Sequence, residues 1–104
     1  MFEDEIAKVV ERITRDFDTK AVIIFGPAVE GKMASDNYLG VAAVIGTDLP
    51  AKQRGLAVRR SLGNTGVPVE LLVFTPEEIE AQRMNPWGVV GGILSSGKVV
   101  YGSI

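Results

Sequence analysis

The sequence predicts a single α+β domain, an α/β sandwich in which helices pack on a mixed sheet of about four strands. Three observations predict this class. Segments with a helical apolar period alternate with strand-length apolar runs, glycine and proline separate them, and no repeat or linker divides the 104 residues. We therefore expect one domain over residues 1–104, with the element order α-β-β-α-β-α-α-β.

The first half of the chain predicts a helix and two strands. Apolar residues at spacings of three and four predict a helix over residues 2–17. Residues 20–25 are an apolar, β-branched run, as in a central strand buried on both faces. After Gly26 and Pro27, a second strand is expected over residues 39–45. The gap is too short for a crossover helix, so these strands should pair antiparallel or connect through a short helical turn.

The second half predicts three helices and two strands. A helix over residues 50–62 would use Leu56, Val58 and Leu62 for part of its apolar face, and a strand follows over residues 67–74. Thr75 and Pro76 are typical first residues of a short helix that ends near residue 82. Asn85-Pro86 should start the next helix, and a last strand is expected over residues 98–101. The face predicted for that helix consists of Trp87, Val90, Ile93 and Leu94.

Composition excludes several kinds of chemistry. The chain has no cysteine and no histidine, which excludes thiolate metal sites, cysteine nucleophiles and a Ser-His-Asp arrangement. Oxygen ligands alone favour Mg²⁺. A net charge of −2 gives no strong nucleic-acid signal, although basic residues cluster between residues 52 and 60. The acidic start is unlike a signal peptide, and no apolar run reaches the ~18 residues of a membrane span, so a cytoplasmic protein is expected.

Residues 26–32 match the phosphate-loop pattern GxxxxGK, from Gly26 to Lys32. Met33 occupies the position where such a loop needs a serine or threonine for Mg²⁺. A long helix should follow the loop, but the next apolar segment is the strand predicted from residue 39. The match is therefore interpreted as coincidental, with Lys32 on a surface turn.

Residues 24–41, IFGPAVEGKMASDNYLGV, support a different interpretation. They resemble the minimal, single-domain prokaryotic nucleotidyltransferases of the DNA polymerase β-like superfamily. That family has phenylalanine-glycine-serine, a basic arm that ends in glycine, and serine-aspartate-x-aspartate-leucine. Glu70 falls at the family's third carboxylate. Similarity at residues 75–79, 85–87 and 93–101 extends the match over nearly the whole chain.

The resemblance implies a nucleotidyltransferase-like fold and transfer of a nucleoside monophosphate from ATP or another nucleoside triphosphate to an acceptor. In such enzymes two Mg²⁺ ions stabilise the attacking and leaving oxygens. Carried over to this sequence, the catalytic and metal-binding residues are Asp36 and Glu70. The implied nucleotide-binding residues are Gly26, Pro27, Gly31, Lys32 and Ser35.

Three departures predict weak or lost activity, and they leave open whether the chain is an enzyme. Pro27 replaces the serine, Glu30 lies in the normally basic arm, and Tyr38 replaces the second aspartate. The first alternative is a non-catalytic module that binds a protein partner, because the resemblance implies an antitoxin-like role beside a helical protein. The second is a structural homo-oligomer that associates through the glycine-rich residues 88–92.

Overall fold

The computed structural model describes residues 2–27, 29, 38–85 and 87–104. Four helices and four strands follow one another in the predicted order, so the α+β class is confirmed. Their bounds are α1 Glu3–Asp16, β1 Asp18–Phe25, β2 Leu39–Gly46, α2 Ala51–Leu62, β3 Val69–Phe74, α3 Pro76–Gln82, α4 Val89–Ser96 and β4 Lys98–Gly102. None of the helices in these ranges is both long enough and apolar enough to span a membrane.

The strands form one mixed sheet in the order β3-β2-β1-β4. The central strand β1 pairs antiparallel with both β2 and β4, whereas β2 and β3 are parallel. The predicted antiparallel pairing of the first two strands is confirmed. Residues 21–24 of β1 and residues 39–45 of β2 are buried, as expected for strands that are covered on both faces.

Helices α1 and α2 cover one side of the sheet, here named the α1/α2 face. Val9 and Ile13 of α1 and Val58 and Leu62 of α2 pack in one cluster with alternate residues of β1 and β2. Those strand residues are Val22, Ile24, Leu39, Val41, Ala43 and Ile45. This cluster is the larger part of the core, because two helices and two central strands contribute to it.

Helices α3 and α4 cover the other side, here named the α3/α4 face. Ile79 of α3 and Val90 of α4 pack with Ala21 and Val44, and Ile93 of α4 packs with Ile23 and Ala42. The small residues Ala21 and Ala42 of the sheet allow the short helices to pack closely on it. The result is three layers, with the sheet between the two helix pairs.

Each outer strand of the sheet has its own local feature. On β3, Arg59 donates a hydrogen bond of 3.0 Å to the carbonyl of Val69, and Arg54 donates one of 3.5 Å to the carbonyl of Val73. Leu39 of β2 donates instead to the carbonyl of Pro68, so the carbonyls of Val69 and Val73 point away from β2. On the other outer strand, the register between β1 and β4 shifts by one residue near Val100, which is a β-bulge.

Arg54 is also the charged residue that connects the two helix layers. Although it belongs to α2, its side chain forms a 2.5 Å ion pair with Glu78 of α3. Glu78 completes a capping box, because its carboxylate accepts the Thr75 N–H and its own N–H donates to the Thr75 hydroxyl. Arg54 is only 7% exposed, so this predicted member of a basic patch is instead part of the interior.

Two other predictions about side chains were wrong. Leu56 is exposed and does not belong to the buried face of α2. Trp87 lies outside α4, which starts at Val89 and not at Asn85. The side chain of Asn85 accepts the Trp87 N–H, and its carbonyl accepts the Gly88 N–H, so the chain turns back on Asn85 where the first helical turn was predicted.

Candidate functional site

The implied nucleotide site lies where β1 ends and β2 begins, and of its residues the structure describes Gly26, Pro27 and Glu70. Gly31, Lys32, Ser35 and Asp36 lie outside the described residues. The implied roles of these four residues therefore remain predictions. The described residues are sufficient to show the part of the sheet, on the α3/α4 face, that lies beneath the implied site.

Gly26 and Pro27 form a tight turn directly after β1. Gly26 has a φ of +88°, which favours glycine, and its carbonyl accepts the Val29 N–H at 3.1 Å. Pro27 is the second residue of this turn, a position that its fixed φ suits. The turn expected from the sequence is therefore present, but Pro27 has no N–H to donate to a phosphate.

Tyr38 lies directly against this turn. A Cβ placed on Gly26 would be 3.1 Å from Cε2 of Tyr38 and 3.4 Å from its hydroxyl oxygen. The tyrosine ring therefore occupies the space beside the Gly26 backbone that a side chain at this position would fill. Tyr38 is half-buried.

A second aromatic ring covers a second glycine where β1 and β2 pair next to this turn. Phe25 of β1 and Gly40 of β2 are antiparallel partners. A Cβ on Gly40 would be 2.5 Å from the carbonyl oxygen of Phe25 and 2.6 Å from Cδ2 of its ring. The Phe25 ring at the end of β1 thus covers Gly40 of β2. In the same way, the Tyr38 ring just before β2 covers Gly26 just after β1.

Glu70 completes the row of residues across the three strands. It is the parallel partner of Gly40, which in turn pairs with Phe25. Leu72 and Phe74 pack on the α3/α4 face, so alternation along β3 puts the exposed Glu70 on the same face. The resemblance implies that Glu70 is the third metal-binding carboxylate, and its partner on β2 is Gly40, which the Phe25 ring covers.

The described residues do not fit a two-Mg²⁺ site. Of the three carboxylate positions that the resemblance implies, Asp36 is outside the described residues, the second is Tyr38, and the third is Glu70. A tyrosine side chain is not among the usual ligands of Mg²⁺, which prefers carboxylate and phosphate oxygens. Within the described ranges, no group of three acidic side chains lies close enough to hold a metal ion.

A cavity of about 220 Å³ lies on the opposite, α1/α2 face. It is located between the start of α1 and strand β4, and most of its lining is apolar, with Glu3 and Lys98 as the charged members. The lining residues are Phe2, Glu3, Ile6, Ile24, Val29, Lys98 and Val100. The cavity is on the α1/α2 face and the implied nucleotide site is on the α3/α4 face, so the two are separate.

Sequence reasoning did not identify the role of Phe25 and Gly40. A signal for it was present, because a glycine inside an otherwise β-branched and apolar strand often marks a close approach of another group. The replacement of an aspartate by Tyr38 was noted, but the sequence does not say where its ring lies. Only the strand register brings that ring onto Gly26.

Comparisons with known proteins give one structural match. No protein-family model and no curated protein matches the chain. A solved structure described as a toxin–antitoxin with AMP-PNP matches with a TM-score of 0.58 and 14% sequence identity. The match covers 97% of this chain and 73% of that one. At this identity the comparison shows a shared fold, and the mixed-sheet sandwich is compatible with a nucleotidyltransferase-like fold.

Proposed function

We propose that this chain is a non-catalytic nucleotidyltransferase-like module that acts by binding a protein partner, as the antitoxin-like member of a toxin–antitoxin pair. One observation carries the proposal. The ring of Tyr38 lies on Gly26, and Tyr38 occupies the position of the second metal-binding carboxylate in the implied family.

The chemistry of nucleotidyl transfer explains why this observation matters. The reaction depends almost wholly on metal ions and on positioning of the phosphates. Tyr38 removes a ligand that would bridge two Mg²⁺ ions, and its ring blocks the glycine turn. Pro27 removes a phosphate-binding N–H and hydroxyl from the same turn. These changes act on one small site, which supports loss of catalysis with retention of the fold.

The structural match supports the role of a protein-binding module. The matching structure is described as a toxin–antitoxin, and its fold extends over nearly the whole of this chain. A domain can lose its metal site and keep its fold as a scaffold for a protein-binding surface. We therefore propose a cytoplasmic protein partner, encoded in the neighbouring gene, as the ligand.

A second candidate function is residual nucleotide chemistry. It is favoured by the left-handed conformation of Gly26 and by the exposed Glu70 on the correct face of the sheet. In this version Asp36 and Glu70 hold a single Mg²⁺, and an AMP-like group passes from ATP to a protein or small acceptor. The two functions differ in whether Mg·ATP binds at Gly26, Asp36 and Glu70.

Nucleotide titration separates the two candidates. We expect isothermal titration with ATP, CTP, GTP and UTP to give no binding heat, with or without Mg²⁺. In parallel, the chain should co-purify with the product of the neighbouring gene when both are expressed together. Asp36→Ala should co-purify to the same extent, since the proposed role does not use this carboxylate. Mg²⁺-dependent ATP turnover without any partner binding would overturn the proposal.

A further inference from the structure

Helix α2 carries a concentration of positive charge that the proposed function has not used. Its 12 residues, AKQRGLAVRRSL, include four of the 11 lysines and arginines of the chain and no acidic residue. Helices α1 and α3 carry more acidic than basic residues, and α4, with the sequence VVGGILSS, carries no charge. In a chain of net charge −2, α2 is therefore a local region of positive potential.

Three of the four cations of α2 face solvent without an acidic partner. Arg54 is buried and pairs with Glu78, whereas Lys52, Arg59 and Arg60 are exposed. Within the part of the chain that the structure describes, none of these three forms an ion pair with a carboxylate. Their charge is therefore available to a ligand.

Exposed cations on other elements are neutralised by a neighbouring carboxylate. The pairs are Arg15 with Asp16 at 3.1 Å, Lys20 with Asp18 at 3.2 Å and Arg83 with Glu80 at 2.7 Å. The unpaired positive charge on α2 is thus a local property of this helix and not a general feature of the surface.

The exposed cations of α2 surround an exposed leucine. Leu56 is 53% exposed, and it lies one helical turn after Lys52 and one turn before Arg59 and Arg60. Val58, which is buried in the core, marks the opposite side of the helix. We give the name α2 surface to the four exposed residues, Lys52, Leu56, Arg59 and Arg60.

Arg59 is held in a position from which it can bind an anion. Its guanidinium donates a hydrogen bond of 3.0 Å to the carbonyl of Val69 at the edge of β3. This bond uses one of the five N–H donors of an arginine, so the others remain for a ligand. A guanidinium that is already oriented loses less entropy when a carboxylate binds to it.

The combination of cations with an apolar side chain favours a protein ligand over nucleic acid. Acidic side chains of a protein segment can pair with the cations while an apolar side chain packs on Leu56. Three cations neutralise few phosphates, and α2 has no aromatic side chain on which a base could stack.

A second copy of this chain is a less suitable ligand. The acidic helix α3 is partly neutralised, because Glu78 pairs with Arg54 and Glu80 pairs with Arg83. The acidic first turn of α1 is a different surface from α2, so a contact between them would extend from copy to copy without closing into a dimer.

We propose that the α2 surface is the docking site for an acidic segment of a protein partner, in which carboxylates flank an apolar side chain. The carboxylates pair with Lys52, Arg59 and Arg60, and the apolar side chain packs on Leu56. Since these ion pairs lie at the surface, salt weakens them, and they contribute mainly to specificity and association rate. The inference rests on the proposed function for the existence of a protein partner, and it assigns the surface that this partner contacts.

A synthetic peptide tests the chemistry of the α2 surface. We expect the full chain to bind a fluorescently labelled peptide in which glutamates flank a leucine, as measured by fluorescence anisotropy. Added salt should weaken this binding, and the same peptide with lysine in place of glutamate should not bind. Tighter binding of single-stranded or duplex DNA of similar length would refute the proposal in favour of a nucleic-acid surface.

Substitutions locate the binding. Lys52→Glu combined with Arg60→Glu should weaken peptide binding roughly tenfold or more. Lys20→Glu combined with Arg83→Glu is the matched control, because it changes the net charge equally at two residues that lie together beside α3, and it should leave binding unchanged. Leu56→Ala should weaken binding by a smaller factor, about twofold to fivefold. Equal binding by the two double variants, both shown to be folded by circular dichroism, refutes the proposal.

Co-expression with the product of the neighbouring gene distinguishes this inference from the proposed function. We expect that product to co-purify with the natural chain and with the control variant, but not with the variant that combines Lys52→Glu and Arg60→Glu. If it co-purifies equally with both variants, the proposed function stands and the inference is refuted. If it does not co-purify even with the natural chain, the proposed function fails, and the peptide titration alone decides the role of the α2 surface.

Sedimentation velocity of the natural chain checks the remaining occupant. We expect a monomer at all concentrations at which the peptide binds. Self-association that the substitutions Lys52→Glu and Arg60→Glu abolish would refute the proposal in favour of a second copy of this chain.

Discussion

The guanidinium of Arg54 on α2 and the carboxylate of Glu78 on α3 form an ion pair of 2.5 Å that joins helices on opposite faces of the sheet. Arg54 also donates to the carbonyls of Leu49 and Val73, while Glu78 accepts the Thr75 N–H. The pair thus fixes the end of β3, the start of α3 and the body of α2 relative to one another.

Glu78→Ala should lower the free energy of unfolding by about 2–3 kcal/mol. The substitution leaves the buried guanidinium of Arg54 without its charge partner and removes one half of the capping box of α3. Urea denaturation monitored by circular dichroism measures the effect. Glu77→Ala is the matched control, because Glu77 is in the same helical turn but is exposed, and it should change stability by about 0.5 kcal/mol or less. Equal losses for the two variants would contradict a special role for the pair.

Stability should also depend on the ionisation of Glu78. Burial by itself raises the pKa of Glu78, but the hydrogen bonds from Arg54 and Thr75 lower it more in total, so the pKa lies below its ordinary value of 4.5. The unfolded state then binds the proton more readily, and the stabilisation is present above pH 4.5 and is lost as the pH falls through the folded-state pKa. Unfolding free energies of the natural chain and Glu78→Gln should therefore converge in acid. A constant difference between about pH 3 and pH 6 would refute this prediction.

Alanine substitutions at two glycines should have opposite effects. Gly40→Ala places a methyl group 2.5 Å from the Phe25 carbonyl oxygen, which cannot rotate away as a side chain can. We expect a loss of about 2–3 kcal/mol of unfolding free energy. Gly55→Ala in α2 meets no atom within 4 Å and should gain about 0.5–1 kcal/mol from helix propensity. Thermal or urea unfolding of both variants measures the sign of the change in unfolding free energy. If Gly40→Ala leaves the unfolding free energy unchanged, the two strands separate easily at this position.

Tyr38→Asp combined with Pro27→Ser should give measurable binding of Mg·ATP, with an affinity at least about tenfold above the detection limit at which the natural chain shows none. The double substitution removes the ring from Gly26 and supplies a carboxylate for metal and a hydroxyl for phosphate. Isothermal titration measures the affinity, and excess chelator should abolish the gain. Tyr38→Phe is the control, because it keeps the ring without supplying a carboxylate. If Tyr38→Phe binds Mg·ATP as tightly as the double variant, the ring is not the obstacle.

Local sequence signals predicted the order and type of all eight elements. The continuous β-branched run before Gly26 identified a central strand, and Thr75-Pro76 followed by Glu78 identified the start of α3 with its capping box. These features depend on neighbouring residues, so they can be recognised without knowledge of the tertiary structure. The prediction for α4 was less accurate, because the side chain of Asn85 stabilises a turn where a helical start was expected.

The candidate site could be predicted in part. The positions of Gly26, Pro27 and Glu70 follow from the motif, and the structure describes each of them near the end of β1 or on β3. The positions of the Tyr38 and Phe25 rings depend on strand register, and the burial of Arg54 depends on how α2 lies beside β3. Such long-range relationships leave little trace in the local sequence, which is why Arg54 was grouped with exposed basic residues.

The edges of the two outer strands affect how this protein can bind another protein. Arg59 and Arg54 hold the outward carbonyls of Val69 and Val73 on β3, and the bulge near Val100 interrupts the regular backbone of β4. Free, regular strand edges are the templates by which sheets recruit further strands. Each edge is therefore modified at these positions, and we expect a complex to form through side chains on the helices and loops and not by addition of a strand.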